Sequence, residues 1–219
     1  MAQRLAAEGI HVLLSGRRQS KLRELQKKIE QAGGKASVYV MDLADAPALE
    51  AGMASIMREH TQIHILINNA GFGFWSPLST TKFSDIDEML AVNLRAPMRI
   101  CQLLLPQFKA QQGGFIINIA SIAGQQGFAS MTHYCASKWG LRGFSAALLE
   151  EVREFGVVVG VISPGMVNTE FFPARFSKDR AQMIQPDDVA DVVWAMLSTG
   201  VNTTLSEITL RPRVPVKDH

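Results

Sequence analysis

The strongest constraint in this chain is its alternation of short apolar runs with longer segments of helical period. Ile10 to Leu14, Lys35 to Leu43, Ile63 to Ile67, Phe115 to Ala120, Val157 to Ile162 and Leu205 to Leu210 each read as a strand, and the run at Ile63 is apolar apart from His64. Between them Ser20 to Gln31, Ala46 to Glu59, Phe83 to Val92, Pro97 to Gln112, Trp139 to Phe155 and Asp187 to Leu197 carry apolar residues at helical spacing. Strands apolar on both sides and separated by helices belong to a parallel sheet covered on both faces. The expected fold is therefore α/β, a doubly wound parallel sheet, and ligands of such sheets bind outside the carboxyl ends of the strands.

Composition narrows the class. A chain of 219 residues, 47% apolar, can bury one sizeable core, so a single domain over 1–219 is expected. A net charge of +2 from 22 basic and 20 acidic residues argues for neither a nucleic acid nor an anionic membrane partner. No apolar run reaches the roughly 20 residues of a membrane span. Cys101 and Cys135 both fall in helical patterns, which points to a reducing cytoplasmic location and to neither a disulfide nor a metal site.

Polar residues gather where the strand patterns end. Ser121 closes the Phe115 run, and further on Tyr134 and Lys138 stand one helical turn apart, on the same face. A phenol with a pKa of about 10 is a poor base, and a fixed ammonium beside it favours the ionised form. Ser121 is placed to hold a carbonyl or alkoxide oxygen against the Tyr134 hydroxyl. Taken alone, the pair also reads as a half-buried ring with a solvated neighbour. Arg17 and Arg18 follow the first strand pattern, where a carboxylate would suit the ribose of NAD and arginine suits the 2′-phosphate of NADP. The competing reading is a solvated basic turn opening a helix. Asp42 and Ser84 read as N-caps of the helices that follow them. His133 adjoins Tyr134 on a different helix face.

These motifs occur in a fixed order: Ser15-Gly16-Arg17-Arg18, Asp42-Leu43, Asn68-Asn69-Ala70-Gly71, Val92-Asn93, Ser121 with Tyr134 and Lys138, and Pro164-Gly165 with Thr169. Together they resemble the short-chain dehydrogenase/reductase family. The resemblance implies a Rossmann-like fold and an NADP(H)-dependent oxidoreductase that interconverts a small alcohol and a carbonyl by hydride transfer. It implies that Tyr134 exchanges the proton, Lys138 lowers the phenol pKa and holds the ribose, Ser121 orients the oxygen, and Asn93 supports a proton relay. Cofactor contacts are implied for Arg17, Arg18, Asp42, Leu43, Asn69, Ala70, Gly71, Tyr134, Lys138, Pro164, Gly165, Val167 and Thr169. No metal is implied. Glu170 to Gln185 stands where a substrate lid belongs, and two long helices imply a homodimer or homotetramer. The ending, Asp187 through Pro212, is similar to the branch that oxidises small 3-hydroxy acids and serine-like alcohols.

One departure stands out. Met1 to Gly9 reads as the end of a helix closed by glycine, and the family's first strand and glycine-rich loop, of the form T-G-x-x-x-G-x-G, are not seen before it. Such a loop lets the backbone approach a pyrophosphate at a helix N-terminus. The expectation is an N-terminally incomplete domain whose first strand is missing from this sequence. A second reading follows from it: a non-catalytic relative that acts as an interaction partner or an unstable fragment.

Overall fold

The computed structural model describes residues 1–171 and 180–215. They form two compact units, Met1–Ile63 and His64–His219. In the first unit, α1 (Ala2–Ala7) leads through Gly9, at φ +84°, into β1 (His11–Gly16). Then come α2 (Gln19–Gln31), β2 (Lys35–Val40) and α3 (Ala46–Glu59). β1 and β2 run parallel, in register from His11 opposite Lys35 to Gly16 opposite Val40. Ala6, Leu14, Ile29 and Ala36 are buried together, so α1, β1, α2 and β2 share one apolar cluster.

Asp42 does not cap α3, as the sequence pattern had implied. β2 stops at Val40, which puts the capping position at Asp45, whose carboxylate accepts from Ala48 N at 3.2 Å. Asp42 instead folds on itself and accepts from Ala44 N at 2.9 Å, the local turn to which short acidic side chains are prone.

The second unit holds β3 (Ile65–Asn68), β4 (Gly114–Ile119), β5 (Val157–Pro164) and β6 (Glu207–Leu210), hydrogen-bonded in that order and all parallel. Its helices are α4 (Phe83–Leu90), α5 (Ala96–Gln111), α6 (Thr132–Val152) and α7 (Pro186–Leu197). β5 is buried along nearly its whole length, as an inner strand covered by α6 and α7 must be. Ser84 is not the cap of α4: the helix begins at Phe83, after an extended Lys82, so Ser84 is already inside the first turn. Between α4 and α5 the chain makes one wider π turn, Ala91–Arg95. Such a turn inserts a residue into the helix and redirects a side chain, here Asn93.

Buried amides tie these layers together. Asn68 Nδ2 on β3 donates to Asn118 Oδ1 on β4 at 2.8 Å, and Asn118 Nδ2 donates to Ser145 Oγ on α6 at 2.7 Å. Asn118 and Ser145 are almost entirely buried, so nothing from solvent could replace these bonds. Asn118→Ala should leave Asn68 and Ser145 short of a partner and lower unfolding free energy by about 2–4 kcal/mol, read from urea melts. A loss under about 0.5 kcal/mol would show that the ladder is dispensable.

Candidate active site

Because β3 to β6 are parallel, their carboxyl ends lie along one edge of the sheet. Asn69, Ala70 and Gly71 leave that edge from β3, Ser121 from β4, and Pro164-Gly165 from β5. The first two turns of α6 bring Tyr134 and Lys138 to this neighbourhood. Both are buried, 7% and 4% exposed. Lys138 Nζ donates to Ile119 O, at the end of β4, at 2.9 Å and lies 5.8 Å from the centroid of the Tyr134 ring. Ser121 Oγ accepts from Ala123 N at 3.2 Å.

Electrostatics here run against the simplest expectation. Burial pushes the Tyr134 phenol up to about 12; the Ser121 hydrogen bond pulls it down and the neighbouring Cys135 adds to the rise. Burial also lowers the Lys138 ammonium to about 8. The expected depression of the phenol by Lys138 is therefore not what the protein alone delivers. Withdrawing both groups from water penalises both charged forms, and an ammonium several ångströms away does not repay the loss.

Asn93 is braced rather than solvent-facing. Its Oδ1 accepts from Phe72 N at 3.0 Å, and its Nδ2 donates to Phe72 O at 2.8 Å and to Ser137 Oγ at 3.1 Å. Ser137 in turn donates to Tyr134 O at 2.8 Å, so the π turn, the loop after β3 and α6 are held as one piece. His133 stacks on Phe74 with ring centroids 4.4 Å apart, and its Nε2 lies 3.2 Å from Phe74 O.

Pro164 and Gly165 end β5, and Gly165 N donates to Leu210 O at 2.8 Å. Val167 bridges Ile184, while Thr169 Oγ1 accepts from Phe171 N at 3.3 Å. Arg180 ties this segment down by donating to Asn168 Oδ1 at 2.9 Å and Thr169 O at 3.0 Å. Of the lid expected at Glu170 to Gln185, residues 172–179 lie outside the described residues.

In the first unit, Arg17, Arg18, Asp42 and Leu43 follow the carboxyl ends of β1 and β2. Arg17 Nη1 stands 3.8 Å from Asp42 Oδ2, an exposed pair of little energetic weight.

Arg142 is a residue the sequence motifs missed. It donates to Gly124 O, and its Nε donates to Glu207 Oε1 on β6 at 2.7 Å. Gln125 Nε2 donates to Thr209 Oγ1 at 2.6 Å. The loop carrying Ser121 is thus strapped to both α6 and β6. Arg142 follows Lys138 by one turn, so its helix face could have been read, but its acidic partner could not. A groove of about 890 Å³ runs along α4, α5 and α6, lined by Leu94, Met98, Leu105, Phe144 and Leu148, and none of the candidate site residues borders it.

The sequence profile of the short chain dehydrogenase family matches residues 1–180, and the chain belongs to that family. An uncharacterised oxidoreductase of Staphylococcus aureus (strain N315) is 32% identical over 212 residues, covering 97% of this chain and 90% of that protein. The NADP-dependent 3-hydroxy acid dehydrogenase of Schizosaccharomyces pombe is 28% identical, over 93% of this chain and 83% of its own. Among solved structures, a metagenomic short-chain oxidoreductase in complex with NADP is 34% identical with a TM-score of 0.85, over 98% of this chain and 90% of that one. Serine dehydrogenase from Escherichia coli, 27% identical, gives a TM-score of 0.83 over 95% and 89%. The fold is accordingly Rossmann-like.

The two opposed shifts can be read directly by carbon-13 NMR of the ligand-free protein. Tyr134 starts from an ordinary value of 10.0 and is raised, so its resonance should still be that of the neutral phenol as pH passes 10. Lys138 is lowered, so its ε-carbon should titrate near 8. A Tyr134 that ionises below its ordinary value would contradict the burial account.

Proposed function

We propose that this chain is an NADP(H)-dependent oxidoreductase that interconverts a small alcohol and its carbonyl compound. The observation that carries the reading is the convergence of Ser121, Tyr134 and Lys138 at the carboxyl edge of the four-stranded sheet, with Lys138 Nζ donating to Ile119 O at the end of β4.

The residues present fit a nicotinamide cofactor. Asn69, Ala70 and Gly71 are exposed and offer little side-chain bulk. A Cβ at Gly71 would stand 3.1 Å from Asn93 Oδ1 and 3.4 Å from Lys138 Nζ, closing space beside the ammonium. In the second unit Pro164, Gly165, Val167 and Thr169 would line the nicotinamide end and Lys138 would hold the ribose; in the first unit, taken by itself, Arg17 and Arg18 suit a 2′-phosphate, and Asp42 and Leu43 an adenine ring. NADP appears in the names of the yeast relative and of the metagenomic structure. The cofactor, when bound, supplies or takes up the hydride at the carbinol carbon.

The chain's own work is to orient the oxygen and move a proton. Ser121 holds the substrate oxygen against Tyr134 Oη. The Tyr134 phenol is neutral near pH 7 and can give its proton to an oxygen that gains charge as hydride arrives at carbon, and take it back in the reverse direction. Asn93 holds the loop and α6 in place for this transfer. The likeness of the chain's ending to the 3-hydroxy acid and serine-like alcohol branch, and the name of the yeast relative, support testing those substrate classes. We include in this reading a homodimer or homotetramer formed through the α5 and α6 face, where Met98 is exposed beside the groove.

Tyr134→Phe removes the proton donor and keeps the ring. With NADPH and a small ketone, kcat should fall by roughly 100- to 10,000-fold, while the NADPH Kd from fluorescence titration stays within about threefold. Turnover near the wild-type rate in this variant would end the assignment.

A further inference from the structure

Ser121 presents its hydroxyl from a loop, and a loop leaving a strand keeps freedom that the strand has lost. Upstream the chain is fixed, since Ala120 N donates to Ile162 O on β5 at 2.8 Å. Ser121 itself is extended, at φ −172° and ψ 160°, and heads the short turn Ile122–Gly124. That turn sets its side chain: Oγ accepts from Ala123 N at 3.2 Å, and Ser121 O accepts from Gly124 N at 2.8 Å. The direction of the hydroxyl follows the turn, and the turn needs a second anchor downstream.

One guanidinium provides it. Arg142 Nη1 donates to Gly124 O, while its Nε donates to Glu207 Oε1 at 2.7 Å. The same carboxylate oxygen accepts from Gln125 Nε2 at 3.1 Å, and Gln125 Nε2 also donates to Thr209 Oγ1 at 2.6 Å. Helix α6, strand β6 and the turn are thereby closed into a ring of contacts, with Arg142 one helical turn beyond Lys138. The turn is seated hard against α6: a Cβ at Gly124 would stand 2.8 Å from Lys138 O and 2.9 Å from Arg142 Cδ. The Arg142 hydrogen bond outweighs burial and holds the Glu207 carboxyl below its ordinary value of 4.5, so the carboxylate is charged across the neutral range. A lysine would not serve equally, because an ammonium is a point charge without the planar fork that meets two acceptors in fixed directions.

With side chains 22% and 40% exposed, the Arg142–Glu207 pair contributes little to stability. Geometry is a different matter, because a reacting group displaced by about 1 Å can cost on the order of 100-fold in rate. On the oxidoreductase reading given above, we propose that Arg142 is a positioning residue, which acts on the reaction through Ser121 by fixing the turn that carries its hydroxyl.

The test measures Arg142→Met in the full chain, with and without Ser121→Ala, using NADPH and a small ketone. In Arg142→Met alone kcat should fall about 10- to 100-fold, while the NADPH Kd stays within about threefold and Tm within about 4 °C. On the Ser121→Ala background the same change should cost less than about threefold more, because a residue that acts through Ser121 has nothing left to act on. Arg142→Lys keeps the charge beside Glu207 and should recover about 3- to 10-fold of the loss. A further readout needs no turnover: amide hydrogen exchange at Ala123 and Gly124 should quicken about tenfold in Arg142→Met, with the Leu148 amide on α6 unchanged.

A kcat within about twofold of wild type, equal losses on the two backgrounds, or a fall in Tm of more than about 10 °C would overturn the proposal and leave the oxidoreductase reading intact. If the wild-type chain neither binds nor oxidises NADPH, the oxidoreductase reading fails, and hydrogen exchange still decides whether Arg142 places Ser121. Faster exchange confined to Ala123 and Gly124 would support that placement, and unchanged exchange would overturn it.

Discussion

The second unit depends on polar side chains that have been taken out of water and must be satisfied inside. Asn118 reaches across to Asn68 on β3 and to Ser145 on α6, and Asn93 reaches from the π turn to Phe72 and Ser137. Each buried amide left without a partner would cost about 1–3 kcal/mol, so strands, loop and helix have few alternative arrangements. α6 is gripped at two points along its length, Ser137 and Ser145, and the residues between and before them inherit its position. Tyr134 and Lys138 are held in place by amides that are themselves buried.

The same burial that fixes those two side chains also sets their protonation. A cation near a phenol ordinarily favours the phenolate, but desolvation of an ion costs several kcal/mol and acts on both partners. Here desolvation wins on each: the phenol goes up and the ammonium comes down. The result is a neutral hydroxyl near the edge where the parallel strands end.

Much of this was legible in the sequence, for identifiable reasons. Parallel strands follow from apolar runs separated by helical segments, and Tyr134 and Lys138 share a neighbourhood because one turn of helix separates them. The caps were misread at Asp42 and Ser84 because a cap depends on the residue at which the backbone enters the helix, which local composition leaves open by several positions. The Arg142 contact with Glu207 spans 65 residues, and only the pairing of β5 with β6 brings its ends together. Phe171 falls within the lid expected at Glu170 to Gln185, and its place on the Tyr134 ring comes from the three-dimensional path of the segment after β5. The direction of the phenol shift was beyond sequence altogether, since it is decided by how deeply both groups are buried.

The central claim is that Tyr134 gives its proton to an oxygen whose carbon receives hydride from a nicotinamide. Reduction of a ketone with NADPH carrying deuterium at both C4 positions of the nicotinamide tests this most directly, with the product carbinol read by NMR. The account requires deuterium on the carbinol carbon and solvent hydrogen on the oxygen. A carbinol formed without label, or a labelled cofactor recovered unchanged while substrate is consumed, would contradict it.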